Sequence, residues 1–160
     1  MKVYQIALGT RGDMEPPLAV AKLLQQQGHR VICLFPEQFC SLAEQAGVES
    51  LSLGSEWYEF MERNLNLFTD PTMSWWKKLL AVRSAAKEGI HIHEELAARI
   101  HKLVQADQPD KILYSAKAIF SAVYGVEQTN RVIFHCPLPY MHYGAGHAHV
   151  GLRGKITALY

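Results

Sequence analysis

Short apolar runs alternate along the chain with longer stretches whose apolar positions recur every three or four residues, and this alternation predicts the elements. Residues 3–8 form a β-branched-rich run that ends at Gly9, the pattern of a buried strand and its turn. Pro16 and Pro17 suit the opening of a helix, whose first N–H groups lack partners in any case. Leu18, Ala21, Leu24 and Gln25 then repeat at helical spacing up to Gly28. A second strand is expected over 31–35, stopped by Pro36. A helix over 39–46 closed by Gly47 follows, and a third strand over 48–53 ends at Gly54. Strand and helix in strict alternation predict an α/β fold, a Rossmann-like parallel sheet flanked by helices on both faces.

Between 56 and 80 there is no strand signal. Trp57, Tyr58, Phe60, Met61, Phe68, Met73, Trp75 and Trp76 concentrate there, and one or two short helices with a loop are expected. A longer helix is predicted over 84–106. Ile92, Leu96, Ile100 and Leu103 mark one face of it, Glu94, Glu95, Arg99 and Lys102 take the others, and Pro109 ends it. The alternation resumes with a strand over 111–114, a helix over 118–128 and a strand over 132–136. Residues 142–151 are rich in Gly and His, and the sequence ends at 156–160 where a further helix starts. The whole reads as one domain, 1–160, cut at its C-terminal end.

The totals narrow the partners. With 160 residues, 49% of them hydrophobic, the chain can fill a single core. Its 16 Lys and Arg face 15 Asp and Glu, so no field of one sign exists to hold a phosphate backbone, and nucleic acid is excluded as a partner. The apolar run at the N-terminus is too short for a signal peptide or a membrane span. Cys33, Cys40 and Cys136 are odd in number, without CxxC spacing, and lie in or beside apolar segments. A reduced, cytoplasmic protein is expected.

The most informative loop is Gly9-Thr10-Arg11-Gly12-Asp13. A turn that follows a strand in an open parallel sheet sits at the carboxyl edge, where such sheets bind ligands, so Asp13 is aimed at a cleft. Its plainer role is to cap the helix that follows. Gly9 and Gly12 permit positive φ and close approach of backbone to a ligand, or mark an ordinary tight turn. The same parts make up a dinucleotide cradle, but Gly9-x-x-Gly12 lacks the full GxGxxG, and Glu37 after the second strand is weakly placed for a ribose. That reading ranks second.

This loop, the Pro16 three residues after it and the run Gly28-His29-Arg30-Val31 together resemble the opening of glycosyltransferases of the GT-B fold. The likeness is to the family 28 and sterol glucosyltransferase-like members and the antibiotic glycosyltransferases related to them. In that group the first loop reads Gly-Thr/Ser-Arg-Gly-Asp, and Gly-His-x-Val introduces the second strand. Residues 39–54 resemble a further segment of the group, and Pro109, Asp110, Ser115 and residues 136–139 resemble its later strand ends. The match is close over 3–54, looser over 109–140 and absent over 56–106, where the acceptor-specific region of such enzymes lies.

The resemblance implies the N-terminal, acceptor-side half of an inverting enzyme. Such an enzyme moves a hexose from a UDP- or TDP-linked sugar to a hydroxyl of a lipid, sterol or aglycone. The nucleotide sugar is held mainly by a second domain absent from this chain, so the chain alone is expected to be inactive. The nucleotide sugar is a co-substrate; no cofactor and no metal are expected, and His147 and His149 supply two ligands where three or four are needed. An acceptor hydroxyl needs one carboxylate or imidazole to take its proton, and Asp13 is the candidate base. Gly9, Thr10, Arg11 and Gly12 are candidate substrate-binding residues around it, with Ser115, Pro137 and His142 at later strand ends beside the same cleft. Trp57, Phe68 and Trp76 are candidates to line an apolar acceptor pocket, against the blander reading of helix packing. Trp75, Trp76, Lys77 and Lys78 have the composition of an interfacial anchor, which suits peripheral contact with the membrane's inner face. The runner-up is a non-catalytic small-molecule-binding or dinucleotide-binding domain.

Overall fold

The computed structural model describes residues 1–69, 73–118, 121–122 and 132–134. Five strands, β1 (Lys2–Ile6), β2 (Arg30–Phe35), β3 (Glu49–Ser52), β4 (Lys111–Tyr114) and β5 (Val132–Phe134), form one sheet. Its order is β3-β2-β1-β4-β5 and every pairing is parallel. Helices α1 (Arg11–Gln26), α2 (Cys40–Gln45), α3 (Glu56–Thr69) and α4 (Trp75–Asp107) connect the strands, with 3-10 turns at Glu37–Phe39 and Ala116–Ala118. The α/β expectation and the parallel sheet are therefore observed.

Alternation along each strand assigns the two faces. Tyr4, Ile6 and Leu8 of β1 and its exit join Ile32, Leu34 and Ile112, and α4 covers them with Ile92, Leu96, Ile100 and Val104. Val3 and Ala7, with Val31, Cys33 and Phe35, face the other way, under Met14, Leu18 and Ala21 of α1 and Ala43 of α2. Burial pushes the Cys33 thiol up to about 12, which leaves it an inert core residue, as expected. Both faces of the sheet are thus helix-covered.

The strand boundaries fall within two residues of those predicted, and the helices differ more. The first helix begins at Arg11, not at the Pro16-Pro17 pair, which lies inside it. The prolines are tolerated within its first two turns, at the expense of the N–H donors they lack. The segment over 39–46 divides into a 3-10 turn and the six-residue α2. The region read as short helices and a loop is α3 plus the first turns of α4, a 33-residue helix that starts nine residues before the predicted position. His91 and His93 accordingly lie mid-helix. The segments predicted as a helix over 118–128 and as a strand beyond 134 fall largely outside the described residues.

One buried group stands apart from this pattern. Gln5, in the middle of the central strand, is fully buried, and neither its amide nitrogen nor its amide oxygen has a hydrogen-bond partner among the described residues. An unpaired buried amide costs about 1–3 kcal/mol. Gln5→Met, of similar length and without polar demands, is therefore expected to raise the urea midpoint of unfolding; a lower midpoint would show that the amide is satisfied in solution.

Candidate active site

The order in which strands are added reverses between β1 and β4, so the crevice of the fold lies beyond the carboxyl ends of these two strands. Pairing continues past their last residues: the Ser115 N–H donates to the Ile6 carbonyl at 2.9 Å, and the Ala118 N–H closes a turn on the Ser115 carbonyl at 2.9 Å. The loop after β1 and the turn after β4 are in this way fixed side by side.

Asp13 and Lys117 meet across that junction. Thr10 is the N-cap of α1 and Asp13 its third residue. The Asp13 carboxylate turns back to accept from the Thr10 N–H at 2.7 Å and from the Thr10 hydroxyl at 2.9 Å, as the acidic member of a capping box does. The Lys117 ammonium donates to it at 2.7 Å from the turn after β4. All three bonds converge on Oδ2, while Oδ1 takes none among the described residues. Burial works to raise this carboxyl. The Lys117 and Thr10 hydrogen bonds and the ammonium charge outweigh it and hold Asp13 below the ordinary carboxylate value, so the group is ionised at neutral pH. Helix cap and candidate base are one side chain, with one oxygen for each task.

The other predicted residues separate around this pair. Gly9 has φ +131°, and a Cβ there would fall within 2.7 Å of Asp13 Cγ, so its close approach is to the carboxylate itself. Gly12 is helical, without positive φ, and a Cβ there would meet nothing within 4 Å, which leaves the space over its Cα open to a ligand. Arg11 points outward and pairs with Glu15 at 3.0 Å, so it does not join the carboxylate. Ser115 stands at the exit of β4, buried, with a hydroxyl that has no partner among the described residues. Pro137 and His142, like His147 and His149, lie outside the described residues.

Trp57 lies where the aromatic cluster was expected to form a pocket. A groove of about 1050 Å³ runs between α3 and α4. Trp57, Phe60 and Met61 form one wall, and the small residues Ala85, Ala86, Gly89 and Ala97 of α4 form the other. Gly89 admits Phe60 to 3.3 Å of where a Cβ would stand. Trp76 is not part of this groove; it is 59% exposed and stacks on Trp75 with ring centroids 3.5 Å apart. Phe68 lies on α3, and its side chain is outside the described residues.

Two residues at this edge were not singled out from the sequence. Lys117 is a lone cation in an alanine-rich turn, and its role becomes visible once the strand order places β4 beside β1. His93 lines the groove; its ring lies 4.5 Å from that of Trp57, and Nδ1 is 2.6 Å from the hydroxyl of the buried Ser121. Burial lowers its imidazole below the ordinary value, so His93 is neutral at pH 7. Its signal was its position one turn from Gly89 on the inner face of α4.

The two glycines test this geometry. Gly9→Ala is expected to cost about 1–3 kcal/mol of stability through its backbone conformation and the collision with Asp13. Gly12→Ala, in open space within a helix, is expected to be neutral or stabilising by up to about 1 kcal/mol. Chemical denaturation that ranks them the other way round would refute the close approach at Gly9.

Residues 3–92, more than half of the chain, match the model of the glycosyltransferase family 28 N-terminal domain. A sterol 3-beta-glucosyltransferase of Arabidopsis thaliana is 43% identical over 70 residues, which cover 42% of this chain and 11% of that protein. An NDP-glycosyltransferase of Bacillus subtilis is 29% identical over 139 residues, 85% of this chain and 32% of that one. The chain thus spans a third or less of the length of these relatives. Among solved structures, the glycosyltransferase of kitacinnamycin superposes with a TM-score of 0.61 at 15% identity, over 85% of this chain and 30% of its own. The spinosyn rhamnosyltransferase, solved with thymidine diphosphate and with spinosyn aglycone, gives 0.59 at 17% identity, over 85% of this chain and 34% of its own. At these identities the structures show a shared fold, and the match of the family model shows the membership: the chain belongs to the glycosyltransferase family 28 N-terminal domains.

Proposed function

We propose that this chain is the acceptor-side domain of an inverting glycosyltransferase that moves a hexose from a UDP- or TDP-linked donor to a hydroxyl of a lipophilic acceptor. The observation that carries the reading is the Asp13 carboxylate, ionised and with Oδ1 unengaged by the described residues, at the junction of β1 and β4. In the reaction the acceptor O–H gives its proton to Oδ1 as its oxygen bonds to the anomeric carbon. The bond from that carbon to the diphosphate oxygen breaks on the opposite face, and its electron pair leaves with the nucleoside diphosphate. In this reading the donor is bound mainly by a second domain. The protein works in the cytoplasm.

The α3–α4 groove supports an acceptor that is large and mostly apolar, since about 1050 Å³ is at the upper end of small-molecule sites. His93, neutral and held by Ser121, gives it a polar point. A dinucleotide in place of an acceptor is disfavoured, because the Asp13 carboxylate already occupies the N-terminus of α1 where a phosphate would be held. Glycosyl transfer is to be assayed on the full-length protein with UDP- and TDP-sugars against mixed lipophilic hydroxyl compounds. Asp13→Asn, which keeps an acceptor oxygen for Thr10, is expected to lower kcat by 10²-fold or more at unchanged fold (on the order of a lost general base). Ala86→Trp, which fills the groove, is expected to raise the acceptor KM with little effect on the donor. Absence of transfer with every pair would favour a non-catalytic binding domain.

A peripheral membrane contact belongs to the same reading. No helix among the described residues is long and apolar enough to cross a membrane. The first turns of α4, however, expose Trp75, Trp76, Leu79 and Leu80. Lys77, Lys78, Arg83 and Lys87 flank them, and no acidic residue occurs between 75 and 87. Co-sedimentation with phosphatidylserine vesicles is expected for the wild type and lost on changing Trp75 and Trp76 to Ala; binding that survives the change would exclude this helix as the contact.

A further inference from the structure

We infer that Lys117 is a positioning residue for the transfer, which fixes Oδ2 of Asp13 so that Oδ1 is the atom that receives the acceptor's proton. This rests on the functional reading above. The two residues are 104 positions apart in sequence, and their meeting is built into the fold rather than into a mobile surface contact. The Ser115 N–H bond to Ile6 and the 3-10 turn closed by Ala118 set where the lysine stem begins. Thr10 and the start of α1 set where the carboxylate begins. The carboxylate is 18% exposed and the ammonium 37%, so the pair is partly shielded from water at the mouth of the crevice.

Three donors on one oxygen have a consequence for the other. With Thr10 alone the carboxylate could rotate about its Cβ–Cγ bond and exchange its oxygens. A third donor arriving from a different element, on the far side of the crevice, selects one rotamer. The ammonium also keeps the group ionised in acid. Among the described residues no other charge competes for it, because Arg11 and Glu15 on the same helix pair with each other and Lys117 supplies the nearby cation from the turn after β4.

The test is Lys117→Met, which keeps the length of the stem and removes the charge, beside Lys117→Arg, in the full-length protein. Asp13 is to be followed by carboxyl 13C NMR, assigned against Asp13→Asn, together with the pH dependence of kcat/KM. In Lys117→Met the Asp13 titration and the acid limb of kcat/KM are expected to move together to higher pH. At neutral pH kcat is expected to fall by about tenfold while the acceptor KM holds. Lys117→Arg is expected to return the acid limb towards the wild-type position. An active wild type whose acid limb and kcat do not change in Lys117→Met would overturn the positioning role and leave the ion pair a structural contact. A wild type that transfers no sugar from any donor would overturn the functional reading, and this role with it, whatever the NMR titration shows.

Discussion

The site depends on the divergence of the chain on either side of the sheet's midline. After β1 it turns to the face covered by α1. After β4 it turns to the opposite face, where Ala118 and Ala122 join Ile100 and Tyr114. Two adjacent parallel strands whose continuations part in this way leave an open crevice between their carboxyl ends, and no helix among the described residues fills it. The Asp13–Lys117 pair spans that opening. It is the point at which the two halves of the sheet are joined by side chains on the ligand side.

The same carboxylate is under two demands. As the third residue of α1 it satisfies an N–H that the helix would otherwise leave unpaired, and it places negative charge at the positive end of the helix dipole. As the proposed base it must also keep an oxygen open to substrate. A carboxylate meets both demands because its two oxygens are separable, and the local sequence is arranged for this. Gly9 leaves room for the returning side chain, which a Cβ would obstruct. Hydrogen bonding lowers the basicity of the group, so what it offers the reaction is a fixed, always-ionised acceptor rather than a strong base.

How much of this was legible in the sequence varied with the locality of the signal. The strand over 111–114 was placed to the residue because an apolar run lies between Pro109-Asp110 and a small-residue turn, and the second strand was missed by only its first residue, Arg30. The start of α1 was misplaced because Pro16 and Pro17 are a louder helix-start signal than Thr10-x-x-Asp13, although the latter is itself a capping pattern. The first third of α4 escaped for the opposite reason. Trp75, Trp76, Leu79 and Leu80 are exposed, so the stretch has no stripe of core residues to betray a helix. Asp13 could be singled out from its loop alone. Its partner could not, because nothing local distinguishes Lys117 from a solvated lysine until the order of the strands is known.

The α3–α4 pair is the part of the domain that the sheet does not require; the likeness to family 28, read from the sequence as absent over 56–106, extends through residue 92 and so across α3 and into α4. It is linked by a hydrogen bond to the segment after β4. The segment after β4 carries Lys117, which holds Asp13, and four residues later Ser121, which holds His93 on the wall of the groove. Lys117 and Ser121, four positions apart in sequence, thus hold the carboxylate and a polar point of the groove. A groove in which α4 supplies small side chains and α3 large ones can be remodelled for different ligands by substitution at positions such as Ala85, Ala86 and Gly89, without disturbing the strand ends that carry Asp13 and Lys117.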